Sequence, residues 1–425
     1  MRARLSHPWV TFAALSLLFF LVSAGTFSSL GVVLPAMVRE LRWNWGQAGL
    51  GYTFLGLACG LSSLAPAALI RRVGVRGTIA VGALLLMAGF AALALGHSVR
   101  VYLAATLVIG LAFALTATVP GTHVLTGLFA RRSAVLGAYF TIGALGGVAG
   151  PLLYVGVVSA THQWRDYWWL FVAGAGTLGG FAAAAAPARI VVATGPGEAL
   201  PNDAPSAGAD GHWTVARALR TPQFYVIVGA YTMYLLINTT AHGFAVEHLI
   251  ERGVAAKVAA GMLSLEALIG AAVTVVGGLV GERVRPKILL VISLIALIGG
   301  MTSLAEARDV LLMLGYAVGV GVGFGLSLLS STLLLINYFG RRANLELYSS
   351  MCLLSTAAAL GPAFGGRARD TLGSFTVVFL LCALATFLML IATVLMTPPV
   401  AKPDAHSTTA VPNPPPDRDA ADARR

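Results

Sequence analysis

The sequence predicts an all-α membrane protein, with twelve transmembrane helices arranged as two parallel-repeat six-helix bundles. Three observations carry that prediction. Of 425 residues, 57% are hydrophobic and only 11% are charged, against roughly 25% charged in soluble domains, so lipid must solvate much of the surface. The apolar residues fall into twelve stretches near the length, about 20 residues, that crosses ~30 Å of hydrocarbon. Landmarks along the chain also recur at a nearly constant offset, as a duplicated unit requires.

The stretches are 9–37, 47–70, 77–97, 101–129, 134–160 and 167–191, followed by 223–248, 255–280, 287–304, 310–338, 343–366 and 375–397. In lipid every backbone polar group must be satisfied within its own segment, which makes these spans helices. The first runs on for nearly thirty residues beyond Arg2 and Arg4. That is longer than the 7–15-residue apolar core of a secretory signal, so it is expected to be a true span.

Charge sets the expected orientation. With the amino terminus in the cytoplasm, 19 of the 28 Lys and Arg fall on cytoplasmic segments, the positive-inside bias. Both termini are then cytoplasmic in a cell inner (plasma) membrane. The net charge of +11 becomes a topology signal and a contact with anionic lipid, so nucleic acid is not expected as a partner. Cys59, Cys352 and Cys382 lie inside apolar runs without CxxC or His-rich spacing, a pattern of neither a disulfide framework nor a metal site. There is no GxxxxGK[ST] loop, which argues against ATP as the energy source; no cofactor is implied.

The expected domains are an N-terminal six-helix bundle over 1–192, a cytoplasmic linker over 193–221, a C-terminal six-helix bundle over 222–397 and a disordered cytoplasmic tail over 398–425. The linker and tail are rich in Gly, Pro, Ala and charge, and "TVARALR" just before span 7 reads as a short surface helix. Arg131-Arg132 recurs as Arg341-Arg342, Gly150-Pro151 as Gly361-Pro362, and Arg72 as Arg283, at offsets of 210 or 211. An even number of spans per copy makes the repeat parallel. That is the plan of a large transporter class with solute bound at midplane between the halves.

Over nearly all of its length the chain resembles the major facilitator superfamily of transporters. The superfamily loop between spans 2 and 3 reads G-x-L-x-D-R-x-G-x-R. Leu69, Arg72, Gly74 and Arg76 match it, while Ala67 replaces the glycine and Arg71 the acid. The second copy keeps Gly278, Glu282, Arg283 and Lys287. The resemblance implies gating roles for Arg72, Gly74, Arg76, Glu282 and Arg283. "GGVAGP", Gly146 to Pro151, fits the G-x-x-x-G-P pattern of span 5 in many exchangers of the superfamily. Within it, "GVVLPAMVRELRWNWGQAG" and "FARRSAVLGA" are similar to the monocarboxylate and oxalate–formate porter group. That similarity implies a monocarboxylate-like or aromatic acid solute moved by alternating access. It also implies a cation inside span 8 or 11, whereas every Lys and Arg here falls in a loop, a tail or at a span end.

Glu266 sits about 12 residues into its span, near midplane. A charge at that depth costs roughly 2.5–3.5 kcal/mol on insertion scales, and such residues face a bundle or cavity. Glu266 is therefore a candidate for proton coupling or for anchoring a cationic or donor-rich solute. The bland alternative is a permanently protonated group tied to a neighbouring helix. His242 is a second candidate for proton coupling, because imidazole is the usual proton switch. Asn238 and Thr239 form a polar patch with it in span 7, answering "AGTFSS" in span 1. These groups suit solute contact or helix packing. Tyr139, His123 and Asn337 complete the candidate solute-binding set, with Pro120 and Gly121 expected to loosen span 4. Gly150, Pro151, Gly361 and Pro362 are read as hinges, since proline removes a helix hydrogen bond.

The expected function is thus a proton-coupled secondary transporter of a small organic solute, working as a monomer with solute, proton and lipid as its partners. The few scattered ionisable groups do not form a catalytic cluster, so an enzyme is not expected. Two alternatives stand beside this reading: a proton-antiport exporter of a neutral or cationic drug or metabolite, and a transporter-fold solute sensor.

Overall fold

The computed structural model describes residues 7–62, 65–129, 132–187, 213–280, 284–340 and 344–399, and these are helical apart from short turns. Span 1 comprises α1 (Pro8–Gly25) and α2 (Phe27–Leu41), separated at Thr26 by a non-helical backbone with φ −101° and ψ −114°. Hydroxyls from the same span and from the next one support the break. Ser29 donates to the Ala24 carbonyl and Tyr52 to the Phe27 carbonyl at 2.5 Å, offering the backbone partners other than its own helix.

Span 2 begins as α3 (Trp45–Leu61), whose start is fixed by a reciprocal cap between Asn44 and Gln47. The helix that follows, α4 (Ala65–Leu95), contains the end of span 2 and all of span 3, parted at Gly74. Gly74 has φ +74°, a conformation that only glycine enters freely; this is the physical need behind the glycine of the loop motif. Span 4 is α5 (Val99–Thr116) and α6 (Thr118–Leu128), broken at Ala117. Pro120 lies just after that break, and its ring crowds the carbonyl four residues earlier.

Spans 5 and 6 are α7 (Arg132–Thr161) and α8 (Trp164–Ala185). The short helix expected in "TVARALR" forms as α9 (Val215–Ala218). Spans 7 to 10 are unbroken: α10 (Pro222–Glu251), α11 (Ala256–Val280), α12 (Pro286–Glu306) and α13 (Val310–Phe339). Span 11 divides into α14 (Asn344–Ser355), a tighter turn over Thr356–Leu360 and α15 (Gly361–Leu372), which starts at Gly361-Pro362. Span 12 is α16 (Thr376–Leu395).

Eleven runs among the described residues are long and apolar enough to cross a membrane. The twelfth span is α3, 17 residues long, which continues over 65–73 as far as Gly74. Leucines such as Leu381, Leu384 and Leu388 of α16 point outward, as a lipid-facing surface requires.

Two cations in equivalent places of the repeat close the last helix of each half. Arg76 Nε donates to the Ala186 carbonyl at 2.6 Å. Lys287 Nζ donates to the carbonyls of Met396 at 2.6 Å and Val394 at 2.8 Å. Each satisfies carbonyls left open at a helix C-terminus and sits at its negative end. The duplicated basic loop is thereby tied to the end of its own bundle.

Candidate functional site

A cavity of about 150 Å³ lies between the halves. Span 1 supplies Ser23, Thr26, Phe27 and Ser28, spans 4 and 5 supply Phe113 and Gly147, and the other half supplies Asn238, His242, Glu266 and Phe324. The break at Thr26 puts Thr26, Phe27 and Ser28 all at the cavity, which a straight helix with 3.6 residues per turn would splay apart.

Asn238 and His242 are one turn apart on α10 and so share a face. The His242 ring bonds through Nδ1 to the Asn238 carbonyl at 2.8 Å. A carbonyl only accepts, so Nδ1 carries the proton and Nε2 is left for the cavity. Glu266 of α11 is 1% exposed, and its Oε2 accepts from the Tyr316 hydroxyl of α13 at 2.7 Å. The other carboxyl oxygen has no protein hydrogen bond among the described residues. The Asn238 side-chain nitrogen is also buried without a partner, a costly condition that a solute or water must relieve.

Cross-half ties gather on the face opposite the termini. Arg39 pairs with Glu247 at 2.7 Å. The Asp370 carboxylate accepts from the backbone N–H of Trp45 at 3.0 Å and of Gly46 at 2.7 Å, capping the N-terminus of α3 from the other half. Thr53 Oγ1 accepts from the N–H of Ala363 at 3.2 Å. Backbones meet directly where α2 crosses α10: a Cβ on Gly31 would lie 1.7 Å from the His242 carbonyl oxygen, so no side chain fits there.

The structure brings three predicted residues, Glu266, His242 and Asn238, to one cavity. The others lie elsewhere. Thr239 bonds its own helix at the Leu235 carbonyl, 2.9 Å away. Tyr139 is buried, donating to the carbonyl of Ala117 at the span 4 break, 2.6 Å away. His123 is exposed in the middle of α6 and Asn337 near the end of α13. Gly150-Pro151 lies inside the continuous helix α7. Arg72 is exposed beside Gly74, while Glu282 and Arg283, like Arg131, Arg341 and Arg342, lie outside the described residues. Tyr316, Phe113 and Phe324 were not anticipated. Tyr316 and Phe324 share one helix with Tyr338 and Phe339, and Phe113 shares its helix with Tyr102, so nothing in its own span marks any of them out.

The family model of the Major Facilitator Superfamily matches residues 15–365. The chain belongs to that superfamily. It is a transporter rather than an enzyme. Solved structures agree on the fold. The nucleoside transporter NupG superposes with a TM-score of 0.72 at 15% identity, covering 91% of this chain and 98% of that one. The peptide transporter POT, solved as a mutant in complex with sulfate, gives 0.68 at 17% identity, over 90% of this chain and 93% of that one. At such identities the likeness speaks for fold alone. A search of curated proteins finds no match.

Proposed function

We propose that this transporter carries a small organic solute by alternating access and couples its movement to a proton at Glu266. The observation that carries the reading is the position of Glu266: a carboxyl 1% exposed, with one oxygen bonded to Tyr316, at a cavity between the two halves. A group there can trade its proton for solute when the cavity changes sides. His242, with Nε2 uncommitted, is the natural relay.

With the termini in the cytoplasm, as the basic residues favour, the ties from Arg39 to Glu247 and from Asp370 to α3 lie on the outer face. The cavity is then closed to the outside and belongs to the cytoplasmic phase of the cycle. The chain would act as a monomer in the inner membrane, with 1–192 and 222–397 as its rocking bundles.

Similarity to the monocarboxylate porter group supports a second reading, an acid moved together with its proton. The Asn238 amide is the donor that would hold it, joined by the His242 ring once Nε2 is protonated as well.

The test is uptake of a panel of anionic, neutral and cationic solutes into proteoliposomes under an imposed pH gradient. Wild type is expected to accumulate its solute, and Glu266→Gln to lose gradient-driven accumulation by at least about tenfold while retaining exchange. Unchanged accumulation in the variant would remove Glu266 from the coupling role. Binding without flux in the wild type would favour a sensor.

A further inference from the structure

The two walls of the cavity differ in chemistry, and the difference selects a solute. A cavity of about 150 Å³ is the size that takes one benzene ring in an apolar core. Phe27 and Phe113 form one aromatic wall, their ring centroids 6.4 Å apart and nearly perpendicular. Phe324 comes from the opposite half. Aromatic faces of this kind hold a planar ring and attract a cation.

The second half leaves three polar atoms of the cavity uncommitted, and the first half adds the hydroxyls of Ser23 and Ser28. The second oxygen of Glu266 and Nε2 of His242 can both accept. The nitrogen of Asn238 is a donor, buried and without a partner. No lysine or arginine is among the lining residues. A solute carboxylate would therefore approach Glu266 with no countercharge, whereas an ammonium would meet a carboxyl and two π-faces.

We infer that the cavity takes a single-ring aromatic amine in its protonated form, carrying one neutral acceptor such as a hydroxyl or carbonyl oxygen. The ammonium donates to Glu266 and His242, the ring lies between Phe27, Phe113 and Phe324, and the neutral oxygen accepts from the Asn238 amide. This rests on the cavity being the solute site of the transporter, and it chooses the cationic branch over the monocarboxylate one.

Equilibrium binding to the purified full-length protein tests the inference without requiring flux. The probes are tyramine, phenethylamine and 4-hydroxyphenylacetate, which share a ring and differ in one group at a time. Tyramine is expected to bind at least tenfold tighter than 4-hydroxyphenylacetate, and several-fold tighter than phenethylamine. Glu266→Gln should erase the first preference, and Asn238→Ala the second. Asn238→Ala removes a buried unpaired group, so it keeps the test open even where Glu266→Gln folds poorly.

Equal or tighter binding of 4-hydroxyphenylacetate would overturn the assignment. So would failure of all three probes to bind, or preferences unchanged in both variants. Absence of proton-driven flux in the wild type, with these preferences present, would sink the coupling reading and leave this one standing. Intact proton-driven flux with the preferences reversed would do the opposite.

Discussion

Span 1 and span 7 hold the same place in the repeat, yet span 1 breaks at Thr26 and span 7 runs unbroken from Pro222 to Glu251. Spans 4 and 10 show the same contrast: a break at Ala117 against a continuous helix from Val310 to Phe339. The ionisable residues of the cavity, Glu266 and His242, both belong to the second half, on spans 7 and 8. At these two pairs the first copy carries the irregular backbone and the second the straight helices, and it is the second copy that holds the titratable groups. At spans 5 and 11 the order reverses: α7 runs on through Gly150-Pro151 and span 11 breaks before Gly361-Pro362. Broken helices in transporters are tolerated only where something re-satisfies the freed backbone. Here the hydroxyls of Ser29, Tyr52 and Tyr139 do so.

The comparison can be broken most severely where the two copies touch. Gly31→Val would drive a side chain into the His242 carbonyl, since even a Cβ would lie 1.7 Å away. Close-packed interfaces switch rather than deform, so transport should fall by more than about tenfold, on the argument that this face can no longer close. Spin labels at positions 97 and 308 should report a longer distance than in wild type; an unchanged distance would show that the crossing tolerates bulk.

The next effect separates the two tyrosines. Tyr139→Phe leaves the Ala117 carbonyl at the span 4 break without its hydroxyl partner, a buried loss of about 1–3 kcal/mol. It should lower thermal stability in detergent while leaving the pH dependence of transport alone. Tyr316→Phe removes the partner of Glu266 and should shift that pH dependence. If the two variants behave alike, the proposed division of labour between the halves is wrong.

A smaller change follows from the cross-half cap. Asp370→Asn weakens the charge at the N-terminus of α3; losses of this kind are about 1 kcal/mol, which is roughly a fivefold shift in the open-to-closed ratio at that face, readable with the same label pair. The smallest effect is expected from Arg76→Ala and Lys287→Ala, each removing a cation from a helix C-terminus at about 0.3–1 kcal/mol. Their melting temperatures should fall by similar small amounts, because the two sites are copies. Unequal losses would mean that the repeat is no longer symmetric at its base.

The spans were readable from hydropathy because lipid imposes a length, and the duplication from offsets because Arg76 and Lys287 still perform one task. Glu266 could be singled out because a lone acid in an apolar run has no inexpensive place to go. The break at Thr26 could not be read, since neither proline nor glycine occupies that position and its cause is tertiary: Tyr52 lies 25 residues away. Tyr316 was invisible for the same reason, fifty positions from Glu266 and adjacent only once α11 and α13 pack. Tyr139 misled because polar tips in spans serve backbone breaks as readily as solutes, and only coordinates tell which carbonyl is open.

The most direct test of the central claim follows protons rather than solute. Proteoliposomes loaded with a pH-sensitive dye, without an imposed pH gradient, are given a gradient of the transported solute. Wild type is predicted to move protons as solute crosses, and Glu266→Gln to move solute in exchange with no proton signal. Equal proton movement in the variant, or none in the wild type during solute flux, would contradict the account.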